Sequence, residues 1–201
     1  AHNGVLFLDE LAEYPRSHLD ALRQPLEEGE LSISRQGASV TFPARFQLIG
    51  ASNPCPCGFL GDYRRPCVCG EAAVMRYRRR LSGPLLDRFD ISVAVPRIGV
   101  DDYHGSSGES TGEVVVRVAA ARRIQGERGR LNRDLAPDDV RGLNGAGGSA
   151  NSILRKSMES GELTARGADK VRRVARTIAD LEGTDVGEGH MAEALRLRAQ
   201  W

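Results

Sequence analysis

No apolar run in the sequence approaches the roughly 18 residues that a membrane span requires, and the first residues lack the charged-then-apolar layout of a secretion signal. No membrane partner is expected, and the expected location is cytoplasmic. Net charge is nearly absent as well, at +1 with a pI near 7.9. That excludes a strong global field, so any nucleic-acid contact has to come from local clusters. Aromatic residues are scarce, at 5% against 40% hydrophobic and 27% charged, the balance of an ordinary soluble protein. Cysteine is missing outside residues 55 to 69, where all four fall. Such crowding indicates a metal site or a local staple more than scattered core residues. The 201 residues suffice for one large domain, or for a medium and a small one.

What the chain does contain reads as a strand-bearing part followed by a helical part. Val5 to Leu8 is a continuous apolar run, the pattern of a strand in a parallel sheet covered on both faces. Ser17 is placed to cap a helix in which Leu19, Leu22 and Leu26 recur at helical spacing, and Pro25 should kink or shorten it. In "LSISRQGASVTF" the apolar residues Leu31, Ile33, Val40 and Phe42 alternate with polar ones around Arg35-Gln36-Gly37, which predicts a β-hairpin with a basic tip. "FQLIGASNP" predicts a second core strand ending in Asn53, and "ISVAVPRI" a third. Next, "GVDDYHGSSGESTGE" is a linker by composition. Its end, Ser110 to Glu113, fits the S-x-x-E capping box of a new helix. Beyond it the pattern is helical. Ala168, Val171, Val174, Ala175 and Ile178 share one face of a helix expected to start near Thr164 and stop at Gly183, and a last helix carries Met191, Ala194 and Leu195. "GLNGAGGSAN" marks a flexible break within this region.

The first strand ends in Asp9-Glu10, and the carboxyl edge of a parallel sheet is where such sheets bind ligands. An Asp there can hold a Mg²⁺ nucleotide through the ion's hydration shell, and the adjacent Glu can orient and deprotonate the water that attacks a γ-phosphate. This is Walker B chemistry, although the same residues alone also fit an apolar strand ending in a solvated acidic turn. Asn53 is placed to hydrogen-bond the γ-phosphate or the attacking water, or simply to form an Asx turn with Pro54. Arg88, in "RRRLSGPLLDRFDISVAV", is placed to reach a neighbouring subunit's nucleotide, or to form a surface ion pair.

Taken in order, "LFLDEL", "LRQPLEEGELSISRQG", "FPARFQLIGASNPCPCG", "RLSGPLLDRFDI" and "ARTIADLEG" resemble the magnesium-chelatase-like ComM (YifB) family of AAA+ ATPases over nearly the whole chain. More distantly, the chain is similar to the motor subunit of magnesium chelatase and to the minichromosome maintenance helicases. The resemblance implies an α/β fold: a P-loop-type parallel-sheet core followed by a small all-α lid. The core half with its cysteine knuckle is expected over residues 1–98, a linker over 99–113 and the lid over 114–201. It implies Asp9 and Glu10 as Walker B, with Asp9 on the Mg²⁺ of ATP, Asn53 as sensor 1, Arg88 as the arginine finger and Arg166 as the sensor 2 arginine. Arg172 and Arg173 are the nearby alternatives for sensor 2. No G-x-x-x-x-G-K-[ST] phosphate cradle occurs in the sequence. The expectation is therefore a C-terminal part of a longer protein, lacking the Walker A half and hydrolysing no ATP alone.

Cys55, Cys57, Cys67 and Cys69 form two C-x-C pairs separated by nine residues. Such pairs can set four thiolates around one structural Zn²⁺, with Arg64 and Arg65 offsetting the site's negative charge. A disulfide pair, disfavoured in a reducing cytoplasm, and plain reduced thiols are the other readings. The hairpin "SISRQGAS" offers Arg35 as a phosphate contact, sequence-independent and multiplied in a ring. The family's likeness implies a homo-hexameric, Mg²⁺-dependent motor on DNA, of branch-migration or helicase type, in uptake or recombination. A chelatase-type motor remodelling a protein partner and a non-catalytic zinc-bearing interaction module are the alternatives.

Overall fold

The computed structural model describes residues 1–35, 37–99, 103–105, 108–143 and 148–198. They group into two compact units, Ala1–Phe89 and Asp90–Gln200. In the first, β1 (Val5–Leu8) pairs in parallel with β4 (Gln47–Gly50), in the register Val5 to Gln47 through Leu8 to Gly50. β2 (Glu30–Arg35) and β3 (Ala38–Pro43) form the expected antiparallel hairpin. Leu31 and Ile33 lie opposite Phe42 and Val40 on one face, while Ser32 and Ser34 meet Thr41 and Ser39 through hydroxyl contacts of 2.8 and 3.2 Å on the other. Gln36, in the expected tip, lies outside the described residues.

The parallel pair differs from the expectation of a strand covered on both faces. Leu6 and Leu8 are half-buried, but Val5 and Phe7 are 55% and 58% exposed and Ile49 is 42% exposed. Alternation along a strand sends successive side chains to opposite faces, and among the described residues only one face of this pair is packed. The third expected strand is also corrected. Ser92 makes only an isolated bridge to Arg198, its N–H donating to the Leu197 carbonyl at 2.6 Å, and Ile91, Val93 and Val95 stay exposed. Pro96, without an N–H, interrupts any longer ladder there.

Around Pro25 the expected helix divides into α1 (Arg16–Ala21) and α2 (Arg23–Glu28), which meet at Leu22. A proline inside a helix removes the bond to the carbonyl four residues back, here Ala21, and its ring crowds that turn. Ser17 does not cap α1. Pro15 occupies that position without a side-chain bond, its fixed φ already suiting the start of a helix. Leu11, Leu19, Tyr77, Leu81 and Leu85 form the buried core, with Leu8, Leu22, Leu26, Leu86 and Phe89 packed against it. Two further helices, α3 (Glu71–Arg78) and α4 (Gly83–Leu86), complete this packing.

The second unit is helical: α5 (Thr111–Glu127), α6 (Pro137–Leu143), α7 (Ser149–Glu159), α8 (Ala165–Glu182) and α9 (Glu188–Leu197). The Ser110–Glu113 capping box is present: Ser110 Oγ accepts the Glu113 N–H, and the Glu113 carboxylate accepts the Ser110 N–H at 2.7 Å. The Ser110 N–H and hydroxyl in turn hold the Glu113 carboxyl below the ordinary Glu range. α8 runs from a Thr164 cap to Gly183 as expected, burying Ala168, Val171, Val174 and Ala175 against Met191 and Ala194. Gly167 suits its first turn because a Cβ there would lie 2.8 Å from Leu163 Cδ1. Residues 100–102 and 106–107 of the expected linker, and 144–147 of the expected flexible break, lie outside the described residues.

A charged network fastens α8 to its neighbours. Asp180, fully buried, accepts from Arg128, from Arg176 Nε at 3.0 Å and from Asn132 Nδ2 at 2.8 Å. Removing this buried carboxylate would leave Arg128 with the Asn132 amide oxygen and Arg176 with the Thr184 carbonyl and a 3.8 Å contact to the exposed Asp185, a poor replacement for a buried counter-charge. Asp180→Ala is expected to lower stability by about 3–5 kcal/mol, read as a shift of the urea midpoint, with loss concentrated in the helical unit by hydrogen exchange.

Candidate functional site

The pairing of β1 with β4 continues past the last strand residues. The Ala51 N–H donates to the Leu8 carbonyl at 2.9 Å, and the Leu11 N–H donates to the Ala51 carbonyl at 2.7 Å. Asp9 and Glu10 fall between these two anchors and stand exposed at the carboxyl edge. Glu10 takes a left-handed conformation, φ 50°, and its N–H donates to Asp9 Oδ1 at 2.9 Å. That conformation costs a non-glycine residue on the order of 1–3 kcal/mol. It is held because Leu11 immediately drops into the core, 2% exposed. Gly50 permits this descent, since a Cβ there would lie 2.9 Å from Leu11 Cδ2.

Two residues beyond Ala51, Asn53 is also exposed, its side chain beside Gly58. The structure therefore brings Asp9, Glu10 and Asn53 to the ends of adjacent parallel strands. Two carboxylates offer only oxygen ligands, the donor set of a hard cation such as hydrated Mg²⁺. The exposed Asn53 amide, beyond the end of the neighbouring strand, offers both a donor and an acceptor.

Arg88 follows α4 and is not an outstretched surface side chain. Its Nη2 lies 2.7 Å from Glu27 Oε1 on α2, its Nη1 donates to the Pro84 carbonyl, and the side chain is 9% exposed. Ser82 caps α4 by accepting the Leu85 N–H at 3.3 Å, and its hydroxyl donates to Asp20 Oδ1 on α1 at 2.9 Å. In the helical unit Arg166 sits exposed in the first turn of α8. The two alternatives for its role are engaged inside that unit. Arg173 donates through Nε and Nη2 to the Leu135 carbonyl, and Arg172 lies 3.6 Å from Asp169. Arg35 ends β2, exposed and opposite Ala38.

The four cysteines converge. Cys55, Cys57 and Cys67 have Sγ–Sγ distances of 3.5, 3.6 and 3.6 Å, and all four Sγ atoms lie within 4.8 Å of one another. No disulfide links them. A tetrahedral metal with bonds near 2.3 Å needs sulfur atoms about 3.8 Å apart, whereas a disulfide needs roughly 2.05 Å. The spacing suits a metal ion. Backbone N–H groups of Phe59 and Val68 point at Cys57 and pull its pKa down to about 6. Cys67 is pushed up to about 12: the Cys69 N–H favours its thiolate, but burial and the neighbouring thiols outweigh that bond. Cys69 is raised, first by its bond with Cys57 and then by burial. Without an ion the four sulfurs cannot all carry charge at this spacing, and a divalent cation removes that conflict. Asp62 Oδ1 accepts the N–H groups of Arg64 and Arg65 at 2.8 and 2.9 Å and turns the loop, while Arg65 stacks 4.2 Å from the centre of the Phe59 ring.

Sequence reasoning missed three partners here. Glu27 and Asp20, which hold the Arg88 segment, lie in helices whose acids carry no distinguishing pattern. Arg80 ends the basic run "RYRRR", and its Nη1 donates to the Ala12 carbonyl at 3.1 Å and to Glu13 Oε2 at 2.6 Å. It ties the end of the cysteine-bearing segment to the turn after Glu10. Only spatial contacts between segments distant in sequence reveal these roles.

Comparison with known proteins supplies the family. The model for magnesium chelatase, subunit ChlI, matches residues 1–103, and the model for its C-terminal part matches residues 108–198. Competence protein ComM of Haemophilus influenzae is 44% identical over 204 residues, covering 99% of this chain and 40% of that protein. The uncharacterized protein YifB of Escherichia coli is 42% identical with the same two coverages, 99% and 40%. The maternal DNA replication licensing factor mcm6 of Xenopus tropicalis is 26% identical over 98% of this chain and 24% of its own length. The chain thus spans about 40% of the ComM and YifB relatives. With both family models matched in order along the strand-bearing and helical segments, the chain belongs to the magnesium chelatase family, among its ComM- and YifB-like members.

Proposed function

We propose that this chain supplies the second half of an AAA+ ATPase core and its lid to a ring-forming, Mg²⁺-dependent motor that moves DNA. The observation that carries the reading is the placement of Asp9, Glu10 and Asn53 just beyond the ends of two adjacent parallel strands. Residues 1–98 provide the core half, 99–113 the connection and 114–201 the lid. The exposed Val5 and Phe7 face is then where the phosphate-binding half of the sheet packs. ATP is the substrate. Asp9 holds the hydrated Mg²⁺, Glu10 orients the attacking water and accepts its proton, and Asn53 fixes the water or the γ-phosphate. Arg88 of one subunit serves the site of its neighbour, and Arg166 reaches the nucleotide from the lid.

Similarity to Competence protein ComM supports DNA as the track, and the exposed hairpin offers Arg35 to it. One cation per subunit gives weak, sequence-independent phosphate binding, and a ring multiplies it. The family models, named for magnesium chelatase, favour a second reading in which the motor remodels a protein partner. In the cysteine cluster we assign Zn²⁺ as a structural ion: bound there, it closes the loop between Asn53 and α3.

In the full-length protein, Glu10→Gln is expected to retain ATP binding while turnover falls by about 10²- to 10⁴-fold. Arg35→Ala should lower DNA-stimulated hydrolysis more than basal hydrolysis. Hydrolysis indifferent to branched or single-stranded DNA, yet stimulated by a protein partner, would favour the chelatase-type reading. The purified protein should carry one zinc per chain by elemental analysis, and Cys67→Ser should lose it; a zinc-free, folded wild-type chain would refute the assignment.

A further inference from the structure

We infer that Glu27 is a positioning residue for Arg88, setting from within its own subunit the direction in which the guanidinium points toward a neighbour. This rests on the reading of Arg88 as an arginine finger and goes beyond it by naming what aims that finger. The Arg88 side chain is 9% exposed, and the contacts that fix it include Nη2 to Glu27 Oε1 at 2.7 Å and Nη1 to the Pro84 carbonyl. A guanidinium is planar and carries five N–H donors in a rigid fork, so anchoring one edge on a carboxylate and a carbonyl determines where the remaining donors face.

The anchor's backbone sits on a packed helix. Glu27 rides on α2, whose Leu26, with Leu22 between the two helices and Leu19 on α1, packs into the cluster that holds Leu81, Leu85, Leu86 and Phe89 around the arginine. A second carboxylate reinforces the same join, Asp20 accepting from the Ser82 hydroxyl that caps α4. Helices α1 and α2 therefore form a platform running directly from the Glu10 turn to the arginine. Rearrangement at the acidic turn has a short, packed route to the finger of the same subunit. The pair is sheltered on the arginine's side, the Arg88 side chain being 9% exposed and that of Glu27 39%, so solvent and salt screen it less than a fully exposed pair. Removing Glu27 takes away one of the contacts that orient the cation, and misplacement by about 1 Å of a group serving the transition state costs on the order of 10²-fold in rate.

The test is ATP turnover by the full-length protein and its Glu27→Ala, Arg88→Ala and double variants, with nucleotide affinity and ring assembly measured alongside. Glu27→Ala is expected to lower kcat roughly 10- to 100-fold, with KM for ATP and assembly unchanged. The double variant should be no slower than Arg88→Ala alone, because a lost finger cannot be misaimed. Should Glu27→Ala fail to assemble, Glu27→Gln decides: it keeps an acceptor oxygen without the charge and is expected to show a several-fold loss in kcat with KM unchanged. If Arg88→Ala is inactive while the assembled Glu27 variants turn over normally, the positioning role is wrong and the finger stands. Equal loss of kcat and of assembly in Glu27→Gln would make Glu27 a structural residue only. If Arg88→Ala itself turns over normally, the finger reading falls and this inference with it.

Discussion

The register of β1 on β4 is the constraint from which the site follows. Two backbone hydrogen bonds beyond the strand ends fasten Ala51 between Leu8 and Leu11, so the two intervening acids have nowhere to go except outward from the sheet edge. A slip of one residue would turn Asp9 and Glu10 to the wrong faces. Gly50 matters for the same reason, because a Cβ there would come within 2.9 Å of Cδ2 of the leucine that pulls the turn back into the core and would push that side chain aside. Placement of the acids and of Asn53 is thus a property of backbone pairing and one buried leucine, not of contacts among the polar groups themselves.

From that leucine a single apolar cluster extends through α1 and α2 to the segment carrying Arg88. Each fully buried leucine in it contributes about 1.5–3 kcal/mol, and the polar contacts set direction on top of that packing. Asp20, Glu27 and Arg80 each join segments far apart in sequence: the first two fasten the segment around α4, and Arg80 fastens the acidic turn to the end of α3. The cysteine cluster lies between Asn53 and α3, so a metal ion there would stiffen the connection that Arg80 completes.

Patterns that are local in sequence were legible. The hairpin, the Ser110 capping box and the full span of α8 follow from alternation, a four-residue motif and a helical stripe between a threonine and a glycine. The convergence of four cysteines was legible from spacing alone. What depended on partners was not. "ISVAVPRI" has the composition of a core strand, yet strand formation needs a neighbour with free backbone groups, and Ser92 finds only Arg198 and Leu197. Val5 and Phe7 have the composition of a buried strand and are exposed, since burial is a property of what packs above them. Arg88 was legible as a candidate within "RLSGPLLDRFDI", but not its carboxylate partner, because nothing in "PLEEGE" marks which acid meets the arginine.

The central claim is that each nucleotide site is shared, with acids from one subunit and an arginine from the next. It is tested most directly by mixing full-length Glu10→Gln protein with full-length Arg88→Ala protein and measuring ATP turnover as the ratio varies. Each variant alone is inactive on this account, but a mixed ring contains interfaces in which an intact Glu10 faces an intact Arg88. Turnover should therefore reappear and peak at intermediate ratios. Mixed rings that form, as shown by differently tagged subunits purifying together, yet hydrolyse no ATP at any ratio would contradict it.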